Sequence, residues 1–166
     1  MHGHLVIADI SGYTQFLTSS ELEHANSIVG ELLNAVIASI QAPLTVSSIE
    51  GDAVFMYGAM PEDMAGQTVL ESVELLYCAF AGALETMILN TTCRCNACAN
   101  ISTLDLKFLL HYGTFSISPL RGKDELLGSA VIEVHRLLKN TITEAIGVRA
   151  YTAYTAAAVD ALELDG

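Results

Sequence analysis

The chain has 166 residues, enough for one domain with a real hydrophobic core. Seven Lys and Arg stand against 19 Asp and Glu, a formal charge of −12. That field repels nucleic-acid backbones and anionic lipid surfaces, and it excludes both as expected partners.

Apolar residues make up 52% of the chain and mean hydropathy is +0.45. The richest stretch, 73–84, is broken by Glu74 and falls short of the ~20 apolar residues of a membrane span, so it reads as a buried helix. The opening Met1-His2-Gly3-His4 lacks the basic-then-apolar order of a secretory signal. A cytoplasmic location is the expectation, and the two early histidines read as part of a mobile terminus with little to say.

Residues 5–10, LVIADI, form a short β-branched run that predicts a buried strand. Ser20-Glu21-Leu22-Glu23 has the pattern of a capping box, with Ser20 at the N-cap. Helical spacing of Leu22, Ala25, Val29, Leu32, Leu33, Val36, Ile37 and Ile40 follows, and Pro43 stops the helix. Residues 44–49 and 53–57 are strands joined by Glu50-Gly51-Asp52, a hairpin signal. A second helix is expected from Pro61-Glu62-Asp63 to Leu89, then a polar connection holding Cys93, Cys95 and Cys98. Residues 104–112 read as a strand, 121–128 as a charged loop, 129–142 as a third helix, and 149–152 as a last strand before a short helix.

The order β-α-β-β-α-β-α-β begins with the βαββαβ unit of ferredoxin-like folds, an α+β class with an antiparallel sheet and helices on one face. Nothing in composition divides the chain, so one domain over 1–166 is expected, with 91–100 as a Cys-rich loop insertion.

Three cysteines in six residues of a chain expected in the cytoplasm point to metal or redox chemistry more than to disulfides. Cys-x-Cys-x-x-Cys suits tetrahedral Zn²⁺, with a fourth ligand from Cys78, His111 or a second copy of the cluster. The alternative is a redox-responsive dithiol whose pKa Arg94 lowers. Cys78 itself lies in an apolar run and reads as core, and His111 as a hydrogen-bonded core histidine.

Four segments resemble the class III adenylyl and guanylyl cyclase domains. Residues 8–14, ADISGYT, are similar to the opening "F-x-D-I-x-G-F-T" of that family, and Glu50-Gly51-Asp52-Ala53 to its "G-D" hairpin. His111-Tyr112-Gly113 is like the "H-x-G" strand, and Gly128-Ser129-Ala130-Val131 through Arg136 like "G-x-x-V-N-x-A-x-R". More narrowly, the chain looks like a bacterial branch of this superfamily that carries the Cys-x-Cys-x-x-Cys insertion.

The chemistry of the aspartates has its own basis. A carboxylate near a strand end and another at a hairpin tip converge if the two strands are neighbours, and hard oxygen ligands bind Mg²⁺ or Mn²⁺ beside phosphates. Taken singly, Asp9 and Asp52 also serve as ordinary turn residues. The resemblance implies that both hold two metal ions with the carbonyl of Ile10, and that Ser11, Gly12, Tyr13 and Thr14 offer backbone N–H groups to phosphate. It also implies a homodimer that completes each site with Arg136 of the second copy. Ser48 and Glu125 fall at the base-selecting positions, so the implied substrate is a purine nucleoside triphosphate and the product a 3′,5′-cyclic nucleotide.

The pattern breaks at three places. Ile132 stands where the family has a transition-state Asn, Ser48 where adenylyl cyclases have Lys, and the late "K-G" hairpin has no counterpart before Gly166. Arg136 and Asn140, four apart, would share a helix face as a shifted pair; otherwise that helix has a solvated polar face. The readings left open are an active cyclase, a degenerate cyclase-like module for nucleotide binding or regulatory dimerisation, and a sensor working through the cysteine loop.

Overall fold

Burial alternates between two cores along the first strand, and this sets the layers of the molecule. The computed structural model describes residues 1–59, 66–120 and 122–164. Strand β1 (His2–Ser11) lies mid-sheet and is buried on both faces. Val6, Ala8 and Ile10 join one apolar cluster; Leu5 and Ile7 join the other. Side chains on a strand alternate faces, so an uninterrupted apolar run is what a doubly covered strand requires.

After β1 come helices α1 (Tyr13–Thr18) and α2 (Leu22–Ala38). Strands β2 (Thr45–Glu50) and β3 (Ala53–Ala59) form a hairpin whose turn holds Gly51 at φ +67°, a conformation glycine adopts without steric cost. The long α3 (Gln67–Asn90) leads to a short α4 (Asn96–Ala99) and then β4 (Asp105–Thr114). The rest is β5 (Ser116–Leu120), β6 (Lys123–Leu127), α5 (Ser129–Leu137), α6 (Ile142–Ile146), β7 (Thr152–Tyr154) and α7 (Ala156–Ala161). The main sheet has the order β2-β3-β1-β4-β7, antiparallel except for the parallel β4–β7 pair, and β5–β6 is a separate hairpin. The α+β expectation holds, with α2 and α3 together on one face. The smaller α5 covers part of the other face through Ala130 and Val134, packed with Leu5, Ile7, Phe55 and Leu109.

Several expectations need correction. Residues 123–127 are strand, not charged loop: Leu126 is buried, and Gly122 at φ +80° lets the chain double back on β5. The helix expected over 129–142 ends at Leu137, because Asn140 donates to the Leu137 carbonyl and accepts from the Ile142 N–H, ending one helix and starting the next. No capping box forms at Ser20. Glu21 is the N-cap of α2, and the buried Ser20 hydroxyl has no hydrogen-bond partner among the described residues. The expected helix start at Pro61-Glu62-Asp63 lies outside the described residues, as do Arg121 and Gly166. Over its 24 residues α3 is long and apolar enough to cross a membrane. Its Val69, Val73, Leu76 and Phe80 are buried in the core against β1 and β4, which is the use the sequence led us to expect for 73–84.

His4 is also not the uninformative terminal residue it first resembled. It is completely buried in β1, its ring 4.9 Å from that of Tyr112, and burial lowers its pKa to about 4. Neither ring nitrogen has a partner among the described residues. The unfolded chain takes up this proton near pH 6.5, the folded chain only near 4, so the unfolded state binds more protons between those values. Stability due to His4 is therefore present above 6.5 and lost as pH falls to 4, by an amount on the order of 3 kcal/mol. Urea unfolding at pH 7 and 4.5 should show that loss for the wild type relative to His4→Phe. Equal pH dependence of the two proteins would refute the buried neutral histidine.

Candidate functional site

The register of β1 places three charges together. Asp9 pairs across to Ala53 on β3 and to Lys107 on β4, and the Ile10 N–H donates to the Asp52 carbonyl at 3.2 Å. Asp52, in the β2–β3 turn, thereby sits beside Asp9 at one end of the sheet. Asp9 shares the strand face of Leu5 and Ile7, the face that α2 and α3 leave free. Together with Ile10, Gly12, Tyr13, Thr14, Gln15 and Lys107, the two aspartates line an open hollow of about 300 Å³.

Electrostatics there are unbalanced. Lys107 Nζ contacts Asp9 Oδ2 at 2.9 Å, both side chains largely covered. Burial works to lower the Lys107 pKa, but the hydrogen bond and charge of Asp9 outweigh it and leave it above the usual lysine value. Asp52 lacks such a partner: burial, then the charge of Asp9, push its pKa up to about 6. Two half-buried carboxylates share one lysine, so the donor set has an uncompensated negative charge. Oxygen ligands with that excess fit a hard divalent cation such as Mg²⁺ or Mn²⁺.

Gly12 positions the loop beside them. At φ +85° it turns β1 into α1, and a Cβ there would come within 3.0 Å of the Thr103 carbonyl oxygen. Both facts demand glycine. Ser11 does not line the hollow. It is the last residue of β1, buried, and its hydroxyl donates to the Arg149 carbonyl at 2.7 Å.

The other expected residues lie apart from this group. Ser48 donates to Glu50 Oε1 at 2.8 Å on β2, and Glu125 is exposed on β6, which touches β2. Glu50 also receives His135 Nε2 at 3.0 Å, tying β2 to α5. Arg136 and Ile132 are both exposed on α5, Ile132 at 58%. The shifted Arg136/Asn140 pair is not formed: Asn140 is beyond the helix end, and its Oδ1 accepts from the Tyr151 hydroxyl at 2.9 Å. His111 is buried, its Nδ1 3.0 Å from the Thr155 hydroxyl, so it is a core histidine and no ligand of the cysteines. Cys78 is exposed on α3, outside the cluster and outside the core it was assigned to.

A second group lies elsewhere in the fold. The ligating atoms of His24, Cys93, Cys95 and Cys98 all fall within 4.8 Å of one another, a group able to hold a metal ion. Sequence reasoning missed His24, since 69 residues separate it from Cys93. It also missed Lys107, although a lone lysine in the apolar run DLKFLL of a cation-poor chain was a usable signal.

A family model described as "Protein of unknown function (DUF2652)" matches residues 29–146. The chain belongs to that family. A relative in sequence, "Uncharacterized protein Rv2561/Rv2562" of Mycobacterium tuberculosis, is 28% identical over 114 residues, covering 69% of this chain and 52% of that protein. Among solved structures, a bacterial light-regulated adenylyl cyclase matches with a TM-score of 0.73 and 16% identity, over 97% of this chain and 45% of that one. The guanylyl cyclase Cya2 matches with a TM-score of 0.69 and 12% identity, over 98% of this chain and 78% of that one. The adenylyl cyclase CyaB from P. aeruginosa gives 0.57 and 16%, over 82% and 71%. This DUF2652 chain thus has the fold of class III nucleotide cyclase domains, and it spans about half the length of the mycobacterial protein and of the light-regulated cyclase.

The raised Asp52 pKa has a testable sign. The folded state binds its proton more tightly than the unfolded state between about pH 4 and 6, so the stability it contributes is present at low pH and lost as pH rises through 6. A bound divalent cation removes that penalty. Thermal unfolding should therefore show a larger rise in Tm on adding Mn²⁺ at pH 7.5 than at pH 5. Asp52→Asn should abolish the difference while leaving the metal-free protein at pH 7.5 at least as stable as wild type. A metal effect that survives Asp52→Asn would place the ion elsewhere.

Proposed function

We propose that this domain binds a purine nucleoside triphosphate together with divalent metal at Asp9 and Asp52, and that a homodimer of it forms the cyclic nucleotide. The observation that carries this reading is the Asp9–Asp52 pair, brought together beside the Gly12 turn by a fold shared with adenylyl and guanylyl cyclases.

In the reaction, the ribose 3′-hydroxyl gives its proton to solvent water and its oxygen attacks the α-phosphorus, the bond to the β-phosphate oxygen breaks, and pyrophosphate leaves with the electron pair. Asp9, Asp52 and the Ile10 carbonyl would hold Mg²⁺ or Mn²⁺, which supplies charge for the phosphates and a lower pKa for the attacking hydroxyl. The residues' own part is separable. Lys107 holds the Asp9 carboxylate in place at 2.9 Å, and Asp52, its pKa raised to about 6, gives up its proton more readily once positive charge lies beside it. Gly12 gives the triphosphate close approach to the start of α1. Arg136, exposed on α5, is available to the α-phosphate of a second copy, and Ser48 and Glu125 to the base.

A second reading, binding without turnover, is favoured by Ile132. It is exposed where an active site of this type uses Asn, and loss of one transition-state hydrogen-bond donor costs about 10²–10³ in rate. The protein is proposed to act in the cytoplasm, apart from nucleic acid and membrane.

Calorimetric titration with non-hydrolysable ATP and GTP analogues in Mn²⁺ tests the shared part of both readings. Binding should need metal and weaken at least tenfold, about 1.4 kcal/mol, in Asp9→Ala. Cyclic-nucleotide assays then divide the readings: Ile132→Asn should raise turnover by about 10² or more if the reaction occurs at this site. No binding of either analogue would leave a cyclase-shaped scaffold without the nucleotide function.

A further inference from the structure

We propose that His24, Cys93, Cys95 and Cys98 form a closed four-ligand zinc site that pins the start of α2 to the segment following α3. His24 lies in the first turn of α2; Cys93 precedes α4, Cys95 is its N-cap and Cys98 lies within it. His24 Nδ1 stands 3.2 Å from Cys95 Sγ and 3.8 Å from Cys93 Sγ. Tetrahedral Zn²⁺, with bonds of about 2.3 Å to sulfur and 2.0–2.1 Å to nitrogen, requires nitrogen–sulfur separations of roughly 3.5 Å. The imidazole is thus already spaced as a zinc ligand.

Ligand chemistry selects the ion. Three thiolates and an imidazole are soft to borderline donors, unlike the carboxylates at Asp9 and Asp52, so the two sites sort soft from hard cations. Four protein ligands leave no open position, which marks a structural ion and not one that activates water. Surrounding groups hold the ligands in place. The Cys98 N–H donates to Cys95 Sγ at 3.4 Å. Glu21, the N-cap of α2, accepts from the Ala97 N–H at 3.1 Å and from Asn96 Nδ2 at 3.3 Å. Outer contacts of this kind orient metal ligands.

The segment has reason to need an ion. Of residues 91–103, Ala97 and Ile101 are buried and the rest are exposed or half-exposed. Apolar burial alone gives such a stretch little hold, and a metal crosslink to His24 restrains a loop of about 70 residues. A redox dithiol would use two of the cysteines, with His24 beside them, and leave the third without a role.

Zinc should co-purify at one ion per chain with all four thiols reduced, and its removal by a chelator should lower Tm by about 10 °C or more. His24→Ala should weaken zinc binding at least tenfold. Loss of a ligand can also unfold the segment, so His24→Cys carries the decisive test: loaded with Co²⁺ it should keep intense tetrahedral thiolate bands, shifted by the extra sulfur. Cys78→Ser should bind as wild type. A metal-free protein after purification with zinc present, a disulfide among the three cysteines, or unchanged Co²⁺ bands in His24→Cys would overturn the proposal.

Discussion

Everything in this molecule depends on the pairing of β1 between β3 and β4. The strand is long, buried on both faces, and antiparallel to both neighbours, so its register is fixed by two cores at once. A slip by one residue would exchange Val6, Ala8 and Ile10 with Leu5 and Ile7, putting Asp9 into the core beneath α2 and α3. Hydrophobic burial therefore determines where the charges go. The same pairing that buries the apolar side chains sets Asp9 opposite Lys107 and next to the turn that carries Asp52.

That arrangement works against stability. A carboxylate held at about 6 by burial and a like-charged neighbour is a local cost at neutral pH, and a fold selected for stability alone would not keep it. Lys107 offsets half of the charge. The group around the cysteines has the opposite character: exposed or half-exposed, soft and set in a segment with little apolar burial of its own. The two groups are linked through the chain, since the cysteine segment runs on to Thr103, whose carbonyl receives Arg149 Nη1 and packs against Gly12. Anchoring the cysteines would thus steady the wall behind the Gly12 turn.

Much of this was legible in the sequence, for reasons that are local. LVIADI gave the central strand, the Gly51 turn gave the β2–β3 hairpin, and the spacing from Leu22 gave α2. The aspartates were found through four segments similar to one family, and the fold now agrees with that likeness. What escaped was non-local or lay in competing side-chain hydrogen bonds. Asn140 breaks a helix that its apolar spacing would continue. Glu21, not Ser20, caps α2 because its carboxylate is bound by the segment 75 residues later. His24 and Lys107 acquire meaning only when distant elements meet, and His4 proved to be core because β1 begins earlier than its β-branched run.

The central claim is that Asp9 and Asp52 together hold divalent metal for a triphosphate. Anomalous diffraction from crystals grown with Mn²⁺ and a non-hydrolysable purine triphosphate tests it most directly. The account requires manganese peaks within coordination distance of both carboxylates, with phosphate beside Gly12. Phosphate bound elsewhere, or manganese absent from this pair at saturating metal, would contradict it.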